Sequence, residues 1–232
     1  MKQLKKILFV GMMALPLLIG IQTLSQATPL QIFLDDGINP AVLVQDGGAG
    51  DINTTDGAVT FSGSIGNWTV NVTTALTYPA LGSAALPQLD LNSVNVFSSV
   101  AGSLLISASA TGYTLAPTGA TLAIGGTTVG IVQVQAWSGL NNFFDTTTPL
   151  GTVNFASSPW GTPTGFSGSF TGAIPASPNP YSLSLSTYIW SDPGATSFNA
   201  ALNTVPEPAT MLLLGSGLIG LGAYGRKKFF KK

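Results

Sequence analysis

The sequence predicts an all-β protein, an antiparallel β-sandwich of jelly-roll or Ig-like type, with a single transmembrane helix at its C-terminal end. Three observations carry this. Between residues 28 and 204 no stretch keeps a 3.6-residue apolar period for three turns, whereas several alternate apolar and polar residues with a period of two. These stretches are short and divided by Gly, Pro and Asn turns, the spacing expected of a sandwich. After them comes an uncharged run at 209–224 closed by a basic end.

Residues 30–34 and 41–45 read as the first two strands, separated by Asp35-Asp36-Gly37 and Pro40. Next comes a polar, Gly-rich loop at 46–57. Residues 58–65 and 68–75 flank Gly66-Asn67, and glycine at the first turn position favours the type II′ geometry whose twist suits a tight hairpin. In the second of these strands Trp68, Val70 and Val72 are expected on a buried face, with Thr69, Asn71 and Thr73 on a wet one. Further strands are expected at 89–99, 104–110, 122–124, 129–137, 151–156, 166–173 and 181–190. Residues 139–149 and 157–165 read as long loops, and 199–204 as an exit towards the tail.

Composition removes much chemistry from consideration. Every Lys and Arg lies outside residues 28–204, where the charged side chains are Asp35, Asp36, Asp46, Asp51, Asp56, Asp90, Asp145 and Asp192. Nucleic acid is not expected as a partner, because phosphate neutralisation needs Lys and Arg. The chain has no His and no Cys. Zinc sites of the usual kind, histidine-dependent triads, thiol nucleophiles and disulfides are therefore excluded. Aromatic and β-branched residues are abundant, which argues for a folded core over disorder.

Two terminal segments read as addresses. Lys2, Lys5 and Lys6 precede an apolar run at 7–21, and Ser25-Gln26-Ala27 offers the small residues that a signal peptidase reads. Residues 1–27 are thus a signal peptide, with cleavage after Ala27 leaving Thr28 first. The alternative, an uncleaved anchor, is weakened by the short run and by Pro16. Residues 28–204 form one exported domain, and 205–232 the tail. The tail joins Val205-Pro206-Glu207-Pro208 to the uncharged run and to Arg226, Lys227, Lys228, Lys231 and Lys232. A helix over 209–224 covers roughly 24 Å, marginally short of the ~30 Å hydrocarbon core. The basic end holds that side in the cytoplasm, so the domain faces outward.

This tail resembles the PEP-CTERM sorting signal of Gram-negative bacteria in its three elements and their order. The resemblance implies recognition around Pro206-Glu207-Pro208 by an exosortase-type membrane transpeptidase, removal of the tail, and delivery to the cell surface or extracellular matrix. The plainer alternative is an ordinary C-terminal anchor. Two internal pieces, Gly63-Ser64-Ile65-Gly66-Asn67-Trp68-Thr69-Val70-Asn71-Val72 and Leu89-Asp90-Leu91-Asn92-Ser93, resemble recurring parts of PEP-CTERM proteins of unknown function. They bring no catalytic residue with them.

Asp46, Asp51 and Asp56 place carboxylates in a Gly-rich loop, so calcium is a candidate ligand, although Asp-Gly pairs are ordinary turn material. A glycosidase would need two paired carboxyl groups, and no pairing signal exists. Trp68 is expected in the core, and Trp160, in a Pro-Gly loop, is the candidate glycan contact. The expected function is a non-enzymatic surface or matrix protein associated with biofilm polysaccharide, and its alternative is a carbohydrate-binding module. N-terminal sequencing of the exported protein should begin at Thr28. A chain still starting at Met1 would make residues 1–27 an anchor.

Overall fold

The structure, a computed structural model, describes residues 29–83, 86–114, 117–174, 180–205, 216, 217 and 219. The signal peptide and nearly all of the tail, with the transmembrane helix expected there, lie outside the described residues. Among the described residues no helix is long and apolar enough to cross a membrane.

The first half of the chain forms β1 (Leu30–Asp35), β2 (Val42–Gln45), β3 (Ala58–Ile65), β4 (Trp68–Leu76), β5 (Gln88–Ser98) and β6 (Gly102–Tyr113). The second half holds β7 (Gly119–Thr128), β8 (Ile131–Gly139), β9 (Thr148–Ala156), β10 (Thr164–Ala173), β11 (Tyr181–Ser191) and β12 (Gly194–Val205). They form two six-stranded antiparallel sheets, the first ordered β2-β1-β6-β11-β8-β9 and the second β10-β7-β12-β5-β4-β3. From β5 onward the chain interleaves the sheets as β5-β12-β7-β10 and β6-β11-β8-β9. That is jelly-roll connectivity, and it sets the Ig-like alternative aside. The hairpins β1–β2 and β3–β4 widen the two sheets on the same side, beyond β6 and β5.

Inward side chains of both sheets make one core. Leu104 and Ile106 of β6 and Leu183, Leu185 and Ile189 of β11 contribute from the first sheet; Leu89 and Leu91 of β5, Leu122 of β7 and Leu202 of β12 contribute from the second. All of these are fully buried. Each such side chain contributes roughly 1.5–3 kcal/mol when removed from water, the favourable term that opposes chain entropy.

Two expectations are corrected. Residues 199–204 are not an exit segment but belong to β12, a central strand paired with β5 and β7 along its length. The short strand expected at 122–124 extends over Gly119–Thr128, because its flanking glycines are packing positions rather than breaks. A Cβ on Gly126 would meet Phe198 Cα at 2.7 Å, so only glycine lets β7 approach β12 there.

The alternation expected in β4 holds for its first part and then changes phase. Trp68 and Val70 are buried and Thr69 and Asn71 exposed, but Thr73 is completely buried. Register shifts against β5 on either side of Val72 are the cause, since one extra residue turns the remainder of the strand to the other face. Serines that alternate with the apolar residues of β11 are also covered. The loop between β8 and β9 folds back over the first sheet, where the Phe144 amide donates to Ser109 Oγ and Ser109 Oγ lies 2.9 Å from Ser184 Oγ. The Phe144 ring rests 5.7 Å from that of Phe33.

The hairpin turn falls at Gly66-Asn67 as expected, with φ of +53° at Gly66 and no positive φ at Asn67. A second constraint acts on the same glycine: a Cβ there would land on Asp36 Oδ2 and Asn39 Nδ2. Asp36 accepts from the amides of Ile38 and Asn39 and from Asn39 Nδ2, so its own loop has no slack. Gly66→Val should therefore destabilise the domain by ~1–3 kcal/mol through backbone strain alone. An unchanged melting temperature would contradict both the turn geometry and the contact with Asp36.

Candidate functional site

The outer face of the second sheet carries a groove of about 520 Å³ running across β4, β5, β12 and β7. Asn71, Ser93, Asn95, Ser197, Asn199, Gly125 and Gly126 line it, together with parts of Val94 and Phe198. No charged residue is among them. Period-two alternation explains the contribution of β5: Leu91, Val94 and Val96 point inward, so Asn95 and Phe97 point out. A bulge where Asn92 and Ser93 oppose Asn199 brings Ser93 to the surface, with Ser93 at φ +55°. Asn199 Oδ1 accepts from the Ser93 amide at 2.6 Å and stabilises that geometry.

The polar atoms are partly employed and partly free for other partners. Asn71 Nδ2 donates to Asn95 Oδ1 at 2.9 Å, which leaves Asn71 Oδ1 and Asn95 Nδ2 in the groove. Ser197 Oγ and Thr127 Oγ1 are 3.1 Å apart. Phe97, two residues along β5 from Asn95 and on the same face, is 44% exposed and stands beside the groove. Asn71 and Ser93 belong to the two internal pieces singled out in the sequence. The β4–β5 register pairs Val72 with Asn95 and Thr74 with Asn92, so the two pieces approach each other at their ends, beside the groove.

A second exposed feature lies on the first sheet. Tyr188 and Trp190 of β11 project outward at 38% and 53% exposure beside a shallow hollow lined by Ala101, Gly102 and Ser103. Gln133 and Asn154, joined by a 2.7 Å hydrogen bond, flank Tyr188 on β8 and β9.

Of the three aspartates that the sequence makes candidates for calcium, Asp51 accepts from the amides of Gly47, Asn53 and Thr60, and Asp46 accepts from the Gly57 amide at 2.7 Å. Both carboxylates thus organise their own loop. Burial raises the Asp46 carboxyl above its ordinary value, the Gly57 amide opposes this, and Asp51 and Asp56 add to it. Among the described residues no group of three or more His, Cys, Asp or Glu is placed to hold a metal ion. Trp68 is buried in the core, and Trp160 is 43% exposed in the loop between β9 and β10. That loop is tied to the β7–β8 connection by Ser157 N to Gly130 O and Gly161 N to Val129 O. Val205 ends β12 opposite Gly119, so Pro206 comes directly after a core strand. Sequence reasoning missed Asn95, Ser197 and Asn199 of the groove and the exposed Tyr188.

Architecture and tail define a class: a β-sandwich domain joined at once to a sorting segment. More particularly, residues 204–228 match the family model of the PEP-CTERM protein-sorting motif. The chain thus carries a PEP-CTERM sorting motif, and the motif implies export, cell-surface sorting in Gram-negative bacteria and processing by an exosortase. Compared with curated proteins, the chain matches none. Among solved structures it is similar to TmCBM61 in complex with beta-1,4-galactotriose, at 11% identity and TM-score 0.32, covering 62% of this chain and 92% of that one. It is also similar to carbohydrate-binding modules from the beta-sandwich super family, at 14% identity and TM-score 0.33, covering 77% and 72%. The mannan-recognising module TmCBM27 is 13% identical at TM-score 0.29, with 64% and 98% covered. Likenesses this distant bear on neither ligand nor activity.

One titrating group stands out on the second sheet. Burial pushes the Asp90 carboxyl up to about 6, and its Oδ1 has no hydrogen-bond partner. The folded state therefore holds this proton more tightly than the unfolded chain, and stability falls as pH rises from about 4 to 6. Asp90→Asn should raise the melting temperature at pH 7, by a stabilisation on the order of 1 kcal/mol once solvent screening at this half-buried position is allowed for. The gain should vanish near pH 4. A difference that stays constant across that range, measured by thermal unfolding, would show that the carboxyl titrates normally.

Proposed function

We propose that this is a non-enzymatic protein of the bacterial surface or extracellular polymer matrix. Signal peptidase removes residues 1–27, the apolar run at 209–224 holds the inner-membrane intermediate, and an exosortase-type transpeptidase cleaves near Pro206-Glu207-Pro208. The observation that carries the reading is the sorting motif joined without a spacer to β12, which makes the whole sandwich the delivered cargo. Composition supports the absence of catalysis: residues 28–204 contain no His, Cys, Lys, Arg or Glu, the residues most acid-base and nucleophilic mechanisms use. Several of the aspartates, including Asp36, Asp51 and Asp145, are engaged by backbone amides.

A carbohydrate-binding module in the same layer is the second reading. Solvent-facing aromatics beside neutral hydrogen-bonding groups on both sheets favour it. Intact-mass analysis of protein released from the cell surface tests the first reading. The expected species lacks both Met1–Ala27 and the basic end, and a surface form that retains Lys232 would overturn the sorting claim.

A further inference from the structure

The geometry points to the groove on the second sheet as a binding site for a neutral, polyhydroxylated chain, a segment of uncharged polysaccharide. The inference rests on the reading that the protein resides in the polymer layer, and it names the site and the ligand class there. Volume is the first argument. About 520 Å³ lies within the range of small-molecule sites and admits a few sugar units on an otherwise regular sheet.

The second argument is the kind of group presented. A sugar hydroxyl both donates and accepts, and Asn71, Asn95 and Asn199 offer amide oxygens and NH2 groups to match it. Whichever way the Asn71 and Asn95 amides are turned, their mutual bond leaves one acceptor and one donor for a ligand. Phe97 adds an exposed ring at the groove's flank, against which the C–H face of a pyranose can stack. Neutrality is the third. An anionic polymer would meet no Lys or Arg anywhere in residues 28–204, only aspartates, and a cationic one would find no carboxylate lining this groove.

The fourth argument separates the groove from the aromatic pair on the first sheet. Asn71, Asn95 and Asn199 come from three different strands, yet the β4–β5 and β5–β12 pairings set them in one groove. Tyr188 and Trp190 have a smaller hollow, of about 300 Å³, with no amide side chain in its lining.

The test uses the full-length protein in detergent and titrates it calorimetrically against a soluble β-1,4-glucan, a β-1,4-mannan and, as polyanion, alginate. Saturable binding to a neutral polymer, with alginate inert, is expected. Gly125 faces the groove, and a Cβ there makes only ordinary contacts of 3.6 Å and 3.9 Å with β10, so Gly125→Val fills the site without disturbing the fold. It should weaken binding at least tenfold with the melting temperature unchanged. The double variant Asn71→Ala, Asn95→Ala should do the same and serves as the readout if Gly125→Val is destabilised. Trp190→Ala should bind like the wild type. Binding that survives both groove variants, binding lost only in Trp190→Ala, preference for alginate, or no binding to either neutral polymer would each overturn the proposal. Surface delivery is read independently by intact mass, so failure here leaves the sorting reading standing, and the reverse also holds.

Discussion

The second sheet depends on one pairing, the insertion of β12, the strand furthest along the chain, between β5 and β7. Until the chain has been made and exported through Val205, β5 and β7 have no shared neighbour. The core then lacks Phe198, Ala200 and Leu202. Long-range pairing of this kind is entropically slow to close, because the loop cost precedes the contact energy. The consequence for an exported protein is direct. The segment that completes the fold is the one adjoining the sorting motif, so a folded domain and an exposed signal arise at the same end of the chain. The Thr204 amide and hydroxyl both donate to Pro87 O, which holds the end of β12 against the start of β5.

A domain without cationic side chains cannot use ion pairs, and its polar groups are satisfied in other ways. Asp36, Asp51 and Asp145 accept from backbone amides of their own loops, which holds the Asp36 and Asp145 carboxyls below their ordinary value. For Asp145 the Thr147 hydroxyl is the largest cause, with the Leu140 amide next. Such caps stabilise above the unfolded carboxyl pKa and are lost as pH falls through the folded one, opposite to Asp90. Elsewhere hydroxyl pairs take the place of charges, as at Thr128 with Thr196 and Ser107 with Ser186. The cost appears at Thr73 Oγ1 and Thr187 Oγ1, buried without a partner.

The same composition explains why the two outer faces differ. On the first sheet the β8–β9 loop covers serines of β6 and β11, anchored by Phe144 on Phe33, and leaves the Tyr188 and Trp190 end open. Nothing comparable covers Asn71, Asn95 and Asn199 among the described residues. Neutral amides on an open sheet face are compatible with a hydrated, uncharged polymer, and the absence of strong charge keeps such contacts insensitive to salt.

The sequence by itself determined the fold class, the Gly66-Asn67 hairpin, most strand positions and the sorting motif. These are local properties: period-two alternation, a glycine suited to a first turn position, and a contiguous three-part tail are each written within a few dozen residues. Thr73 and β12 depart from expectation for one reason. Whether a residue faces core, solvent or a covering loop depends on bulges and pairings with strands far away in sequence. The groove was illegible for the same cause, since Asn71, Ser93, Asn95 and Asn199 become neighbours only through β4–β5 and β5–β12 register. Only the tertiary structure decided which asparagines converge, because amide side chains carry no periodic signature and register alone sets them on a common face.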